Sequence, residues 1–158
     1  MAPQSRYLLQ HAVADKISTD RRSENMRRIR SQDTSPELAV RRLVHALGYR
    51  FRLHRKDLPG KPDLVLPRHR KVIFVHGCFW HQHPRSKCAD SRLPKSNTGY
   101  WTEKLTRNAQ RDTAHLKTLR LQGWGCLIIW DCDLRNPKSV SEKLTRFLEK
   151  PNRSALKL

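Results

Sequence analysis

The sequence predicts a three-layer α/β or α+β fold, with helices flanking a mixed sheet. Two apolar runs, "KVIFV" at 71–75 and "CLIIW" at 126–130, have the length and composition of buried strands. Between them an amphipathic segment runs from about Tyr100 to Gln122 and closes at Gly123. A strand, a long helix and a strand make a crossover, so the two strands must be parallel. Helical segments before and after this unit supply the other layers.

Each element has its own signal. Residues 1–19 show no sustained period and read as a loose basic arm, and "TDRRSENMRRIR" as a short helix capped by Thr19 or Asp20. "SPELAVRRLVHALG" is a helix with Ser35 as cap, Pro36 at its first position and Gly48 at its stop. Val40, Leu43, Val44 and Leu47 form its apolar stripe, and Glu37 lies on that same inward face. "YRFRLH" at 49–54 alternates strictly and predicts a half-exposed strand. "DLPGKP" is a turn, "DLVL" a short strand, and "PRSKCADSRLPKSNTG" a polar loop. The long helix carries Trp101, Leu105, Ala109, Asp112, Leu116 and Leu119 on one stripe. Asp112 interrupts that stripe and is expected to pair with a buried arginine, without a catalytic role. "SVSEKLTRFLEK" is the final helix. One domain over residues 20–150 follows, with 151–158 as a frayed basic tail.

Charge bounds the partners. Thirty-three Lys and Arg against 14 Asp and Glu leave a formal +19. That excess exceeds what solubility requires and points to a polyanion, most simply nucleic acid. No apolar stretch reaches the roughly 18 residues of a membrane span. The first residues lack the apolar core of a secretory signal. Four cysteines without such a signal fit a reducing compartment, where metal binding is a better expectation than disulfides.

The parallel crossover decides which cysteines meet. Cys78 lies just past one strand and Cys132 just past the other, so both leave the sheet at the same edge. Cys126 starts its strand, roughly 20 Å away at strand rise, and is expected to be a small buried hydrophobe. Cys78, His83 and Cys88 are spaced C-x4-H-x4-C, and with Cys132 they make a closed tetrahedral zinc set. His81 is the alternative histidine at this point.

A second site is expected on the same edge. Aspartate is disfavoured in strands, yet Asp63 opens one beside the strand that ends in His76. Asp63, the inward Glu37, His76 and His81 are placed to converge there. Carboxylates bind Mg2+, a hard cation, and histidines move protons near neutral pH. For a phosphodiester that combination is a nuclease layout.

The string "PGKPDLV…VIFVHGCFWHQH" closely resembles the very short patch repair (Vsr) endonucleases, as do "SENMRRIRSQDTSPE", "YWTEKLTRNAQRD" and "LIIWDC". The resemblance spans about residues 20–133. It implies a PD-(D/E)xK restriction-endonuclease-like fold and a Mg2+-dependent hydrolase that nicks double-stranded DNA beside the thymine of a T:G mismatch. Such mismatches arise by deamination of 5-methylcytosine in the target of a partner cytosine-5 DNA methyltransferase. By the same resemblance Asp63 binds Mg2+, His76 and His81 are the acid–base pair, and Glu37 acts through the water shell. Zinc falls on Cys78, His83, Cys88 and Cys132. The intercalating aromatics fall on Phe79, Trp80 and Trp101, mismatch reading on Lys104 and Asn108, and Met26 on the arm that closes over DNA. Where the family pattern has threonine this chain has Val75, which serves if that position binds Mg2+ through its backbone carbonyl. A monomer in the bacterial cytoplasm, acting at the nucleoid, completes the expectation. The rival expectations are a nuclease of different, restriction-like specificity and a catalytically silent, zinc-stabilised DNA-binding protein.

Overall fold

A computed structural model describes residues 18, 21, 24, 32–84 and 88–152. Nearly all of the expected arm, Met26 and the last six residues lie outside the described residues. The elements are α1 (Ser35–Ala46), β1 (Leu64–Leu66), β2 (Lys71–His76), α2 (Thr98–Leu121), β3 (Gly125–Trp130) and α3 (Pro137–Glu149). The sheet order is β1-β2-β3. β1 runs antiparallel to β2, while β2 and β3 are parallel, in register from Lys71 opposite Gly125 to His76 opposite Trp130.

Strand alternation sorts the side chains into two layers. Leu64, Leu66, Ile73 and Ile129 face Val40 and Val44 of α1 and Val140, Leu144 and Leu148 of α3. Val65, Val72 and Phe74 face the other way, toward Leu119 of α2 and Trp124. His76 shares the parity of Val72 and Phe74, and so emerges on the α2 side. This is the mixed α/β architecture with flanking helices of a PD-(D/E)xK-like nuclease.

Local chemistry fixes the ends of the elements. Thr34, not Ser35, caps α1, and its side chain accepts from the Glu37 N–H. Glu37 Oε1 in turn accepts from the Thr34 hydroxyl at 2.9 Å and Oε2 from the Asp33 N–H at 2.9 Å. Thr34 and Glu37 thus form a variant of the Thr-x-x-Glu capping box, which displaces the cap by one residue from the expected Ser35. α3 begins at Pro137, with Asn136 accepting from the Ser139 N–H. The buried Lys71 donates to Leu148 O at 2.7 Å and Lys150 O at 2.6 Å, tying the start of β2 to the end of α3. Gly60 holds a φ of +73°, and a Cβ there would lie 3.0 Å from the His115 ring, so the turn that delivers Asp63 presses closely on α2.

The expected strand at 49–54 reduces to one bridge, Arg52 to Val65. The alternation is real: Tyr49, Phe51 and Leu53 pack on the core while their neighbours face solvent. β1 is only three residues long, and His54 turns to a φ of 54°, so no ladder extends further. Among the described residues no helix is long and apolar enough to cross a membrane.

The core assignment carries a direct test. Leu144 is fully buried and Leu121 is 79% exposed. Leu144→Ala should cost about 2–5 kcal/mol in urea unfolding, whereas Leu121→Ala should change stability by less than about 0.5 kcal/mol.

Candidate active site and metal centre

The segment after β2 coils back on itself. The His81 N–H donates to Gly77 O at 3.2 Å and the His83 N–H to Cys78 O at 3.0 Å, with Gln82 at a φ of 49° between them. This coil separates two histidines that are only two residues apart. His81 returns to β2 and stacks on His76, with ring centroids 3.9 Å apart and planes at 11°. His83 is carried to the other side and stacks on Trp130 at 4.4 Å.

Cys78, His83, Cys88 and Cys132 offer ligand atoms that all lie within 4.8 Å of one another. Cys132 Sγ is 3.5 Å from His83 Nδ1. Three sulfurs and one imidazole, three of the four residues buried, form a closed donor set suited to structural zinc. Burial, aided by the neighbouring Cys132 and Cys88 side chains, pushes the Cys78 thiol up, which a bound cation would reverse by stabilising the thiolate. An ion pair from Arg135 to Asp90, at 2.5 Å, joins the segments that carry Cys132 and Cys88. His81 is no part of this cluster. Cys126 is half-buried among the residues facing α2, its Sγ 3.7 Å from Trp124 O.

A second cluster holds His76, His81 and Asp112, again with ligand atoms within 4.8 Å. Asp112 pairs with His81 Nδ1 at 2.5 Å rather than with an arginine, which corrects the expectation from sequence. Burial opposes ionisation of Asp112, but the hydrogen bond and charge of His81 overcome it and hold the carboxyl below its usual range. Burial, aided by His81, pushes His76 down to about 4. The ring is therefore neutral at pH 7.

Asp63 lies just before β1 and accepts from the Val75 N–H at 2.6 Å. Burial pushes its carboxyl up to about 6, against that bond and the charges of Arg41 and His81, while Glu37 pushes the same way. Glu37 is 6% exposed and held by Thr34, Asp33 and Arg41, the last at 3.1 Å. Its first task is to cap α1, and it acts on Asp63 through the field rather than by a direct contact.

The aromatic residues meet beside this edge. Phe79 packs on Trp80 at 5.0 Å and on Trp101 at 5.3 Å. Phe79 and Trp80 are half-buried, whereas Trp101 is buried among Phe79, Trp80 and Tyr100. Lys104 Nζ stands 5.6 Å from the Trp80 and Trp101 centroids. Asn108 donates to Trp80 O at 3.3 Å and accepts from Arg111 at 2.6 Å.

Comparison with known proteins agrees with this architecture. A family model described as DNA mismatch endonuclease Vsr matches residues 14–87. The chain is 45% identical over 137 residues to the type II nicking enzyme V.XorIIP of Xanthomonas oryzae pv. oryzae, covering 87% of this chain and 98% of that protein. The chain belongs to the Vsr family of nicking endonucleases. It is 41% identical over 138 residues to DNA mismatch endonuclease Vsr of Escherichia coli K12, covering 87% and 86%. Against the type II nicking enzyme V.NmeAIP of Neisseria meningitidis serogroup A, identity is 38% over 136 residues, covering 86% and 95%.

Within this Vsr-family chain the structure brings together His76 and His81, and separately the four Cys and His ligands. Asp63 sits on the adjoining backbone, and Glu37 one helix cap away. Asp112 is the residue that sequence reasoning passed over. Its signal was a carboxylate on an apolar helix stripe, but its partner depends on how α2 sits over β2.

Both clusters yield expected outcomes. Cys132→Ser should lower the melting temperature, and a zinc chelator should lower that of the parent but shift the variant little. For Asp63 and His76 the signs oppose. Asp63, raised to about 6, removes stability as pH rises from about 4 to 6; His76, lowered to about 4, removes stability as pH falls from about 6.5 to 4. In magnesium-free buffer, Asp63→Asn should therefore steepen the rise of stability with pH in this window. His76→Asn should flatten or reverse it.

Proposed function

We propose that this chain nicks one strand of duplex DNA by metal-assisted hydrolysis, beside the thymine of a T:G mispair. The observation that carries the proposal is the stacked histidine pair His76–His81, backed by Asp112, on the edge where the Val75 N–H holds Asp63. Neutral His76 takes a proton from the water that attacks phosphorus. His81, its Nδ1 against the Asp112 carboxylate, gives a proton to the leaving oxygen as the phosphorus–oxygen bond breaks. Asp63 is a partly buried carboxylate whose charge is poorly compensated, which suits a hard divalent cation. Asp63 and the Val75 carbonyl would hold Mg2+, with Glu37 acting through its water shell. When bound, Mg2+ supplies positive charge to the scissile phosphate and activates water.

Phe79, Trp80 and Trp101 are the wedge in this reading. Unstacking costs a few kcal/mol per step, least at a mispair, which favours mismatched duplex. Trp101, buried in the free chain, must be uncovered for this task. Lys104 and Asn108 would read the mispaired bases, and Met26 would belong to the closing arm. The proposal takes residues 20–150 as one endonuclease domain, acting as a monomer with zinc on Cys78, His83, Cys88 and Cys132. The mispair would arise where a cytosine-5 methyltransferase acts.

A second reading has specific support: two of the three relatives above carry the name of type II nicking enzymes, and only one is named for mismatches. Those names favour nicking more broadly than they favour the T:G target, and the chain then cuts a duplex sequence of its own. End-labelled duplexes with T:G or C:G pairs, incubated with Mg2+, separate the two. Cutting confined to the thymine strand of T:G supports the first reading, and cutting of matched duplex supports the second. Asp63→Ala should abolish nicking while DNA binding persists, and His81→Ala should slow it about 10²–10⁴-fold. Val75→Thr should leave the rate unchanged, because the backbone carbonyl is retained. A parent protein that leaves every duplex intact would overturn both readings.

A further inference from the structure

Tyr100, in the first turn of α2, is assigned no role by the readings above. It is 47% exposed, and among the described residues it is the one aromatic in the group of large apolar side chains left exposed. Its ring packs edge-on against Trp101, with centroids 5.2 Å apart and planes at 75°. The Tyr100 hydroxyl accepts from Lys104 Nζ at 3.2 Å. The same ammonium stands 5.4 Å from the Tyr100 centroid and 5.6 Å from those of Trp80 and Trp101. Three rings thus surround one cation at the rim of the aromatic cluster, and Tyr100 is the most exposed of them.

We infer that Tyr100 is a further DNA-contacting residue, whose ring lies against a base next to the one displaced by the wedge. This inference rests on the wedge reading proposed above. The argument is one of placement and charge. A ring held at one edge by Trp101 loses little freedom on binding, and an aromatic face accepts any base. Lys104 beside it supplies the positive charge that draws the phosphate backbone to the same spot, on a chain of formal charge +19. A Tyr100 that only shielded Trp101 would not need a cation shared with two other rings.

Two measurements test the inference, both in magnesium-free buffer so that no strand is cut. In the first, the parent protein is irradiated with T:G duplexes carrying 5-iodouracil at positions flanking the mispair, and crosslinked peptides are sequenced. A crosslink on Tyr100 supports the contact; crosslinks only on other residues overturn it. In the second, duplex affinity is measured for Tyr100→Ala, Tyr100→Phe and Trp80→Ala. Tyr100→Ala should weaken binding about ten-fold or more, while Tyr100→Phe, which keeps the ring, should bind like the parent. If Trp80→Ala weakens binding and Tyr100→Ala does not, Tyr100 alone is overturned. If neither does, the wedge reading itself fails. If Tyr100→Phe loses as much as Tyr100→Ala, the ring is not the contact.

Discussion

The parallel pairing of β2 with β3 is the constraint on which both clusters depend. His76 is opposite Trp130, so each strand ends at the same level, and Cys78 and Cys132 each lie two residues beyond it. An antiparallel pairing would have sent Cys132 out at the far end of the sheet, roughly 20 Å away at strand rise. The crossover helix α2 that enforces the parallel direction also delivers Asp112 to His81. One topological choice therefore positions the Cys/His cluster and the His76–His81–Asp112 cluster on the same edge.

Burial of His76 and partial burial of Asp63 form the second theme of that edge. The same burial that keeps His76 neutral also opposes the charge on Asp63, and the two shifts have opposite sign. Asp63 accepts from the N–H of Val75, the residue before His76, so the two shifted groups belong to neighbouring positions of one edge. Asp112 completes the arrangement by giving His81 a fixed counter-charge that His76 lacks as a direct partner. Stacked rings 3.9 Å apart thus have different surroundings, His81 against a carboxylate and His76 against Phe74 and Trp130.

Much of this was legible in the residues. The apolar runs at 71–75 and 126–130, and the long amphipathic helix between them, determine the crossover, and with it the meeting of Cys78 and Cys132. The inward-facing Glu37 was visible as an oddity, but its occupation as a cap was missed because Thr34 and Ser35 are both good caps, although only Thr34 is followed by glutamate three residues later. Residues 49–54 alternate as a strand would, yet alternation reports burial and not a partner, and β1 is too short to provide more than one bridge. The fate of His81 against His83 depended on a coil of five residues with a left-handed Gln82, which spacing does not encode. Asp112 stood out as a carboxylate on an apolar stripe, but its partner His81 required the rotation of α2 over the sheet, a tertiary fact.

The most direct test of the central claim is the ligand shell of the metal. X-ray absorption at the zinc edge, on protein purified without chelators, reads the number and type of donors. The parallel register predicts three sulfurs at about 2.3 Å and one nitrogen at about 2.0 Å, the set that needs Cys132 to join Cys78 and Cys88. A shell of nitrogen and oxygen, or of fewer than three sulfurs, would contradict it, because Cys132 would then not share the ion with the residues after β2.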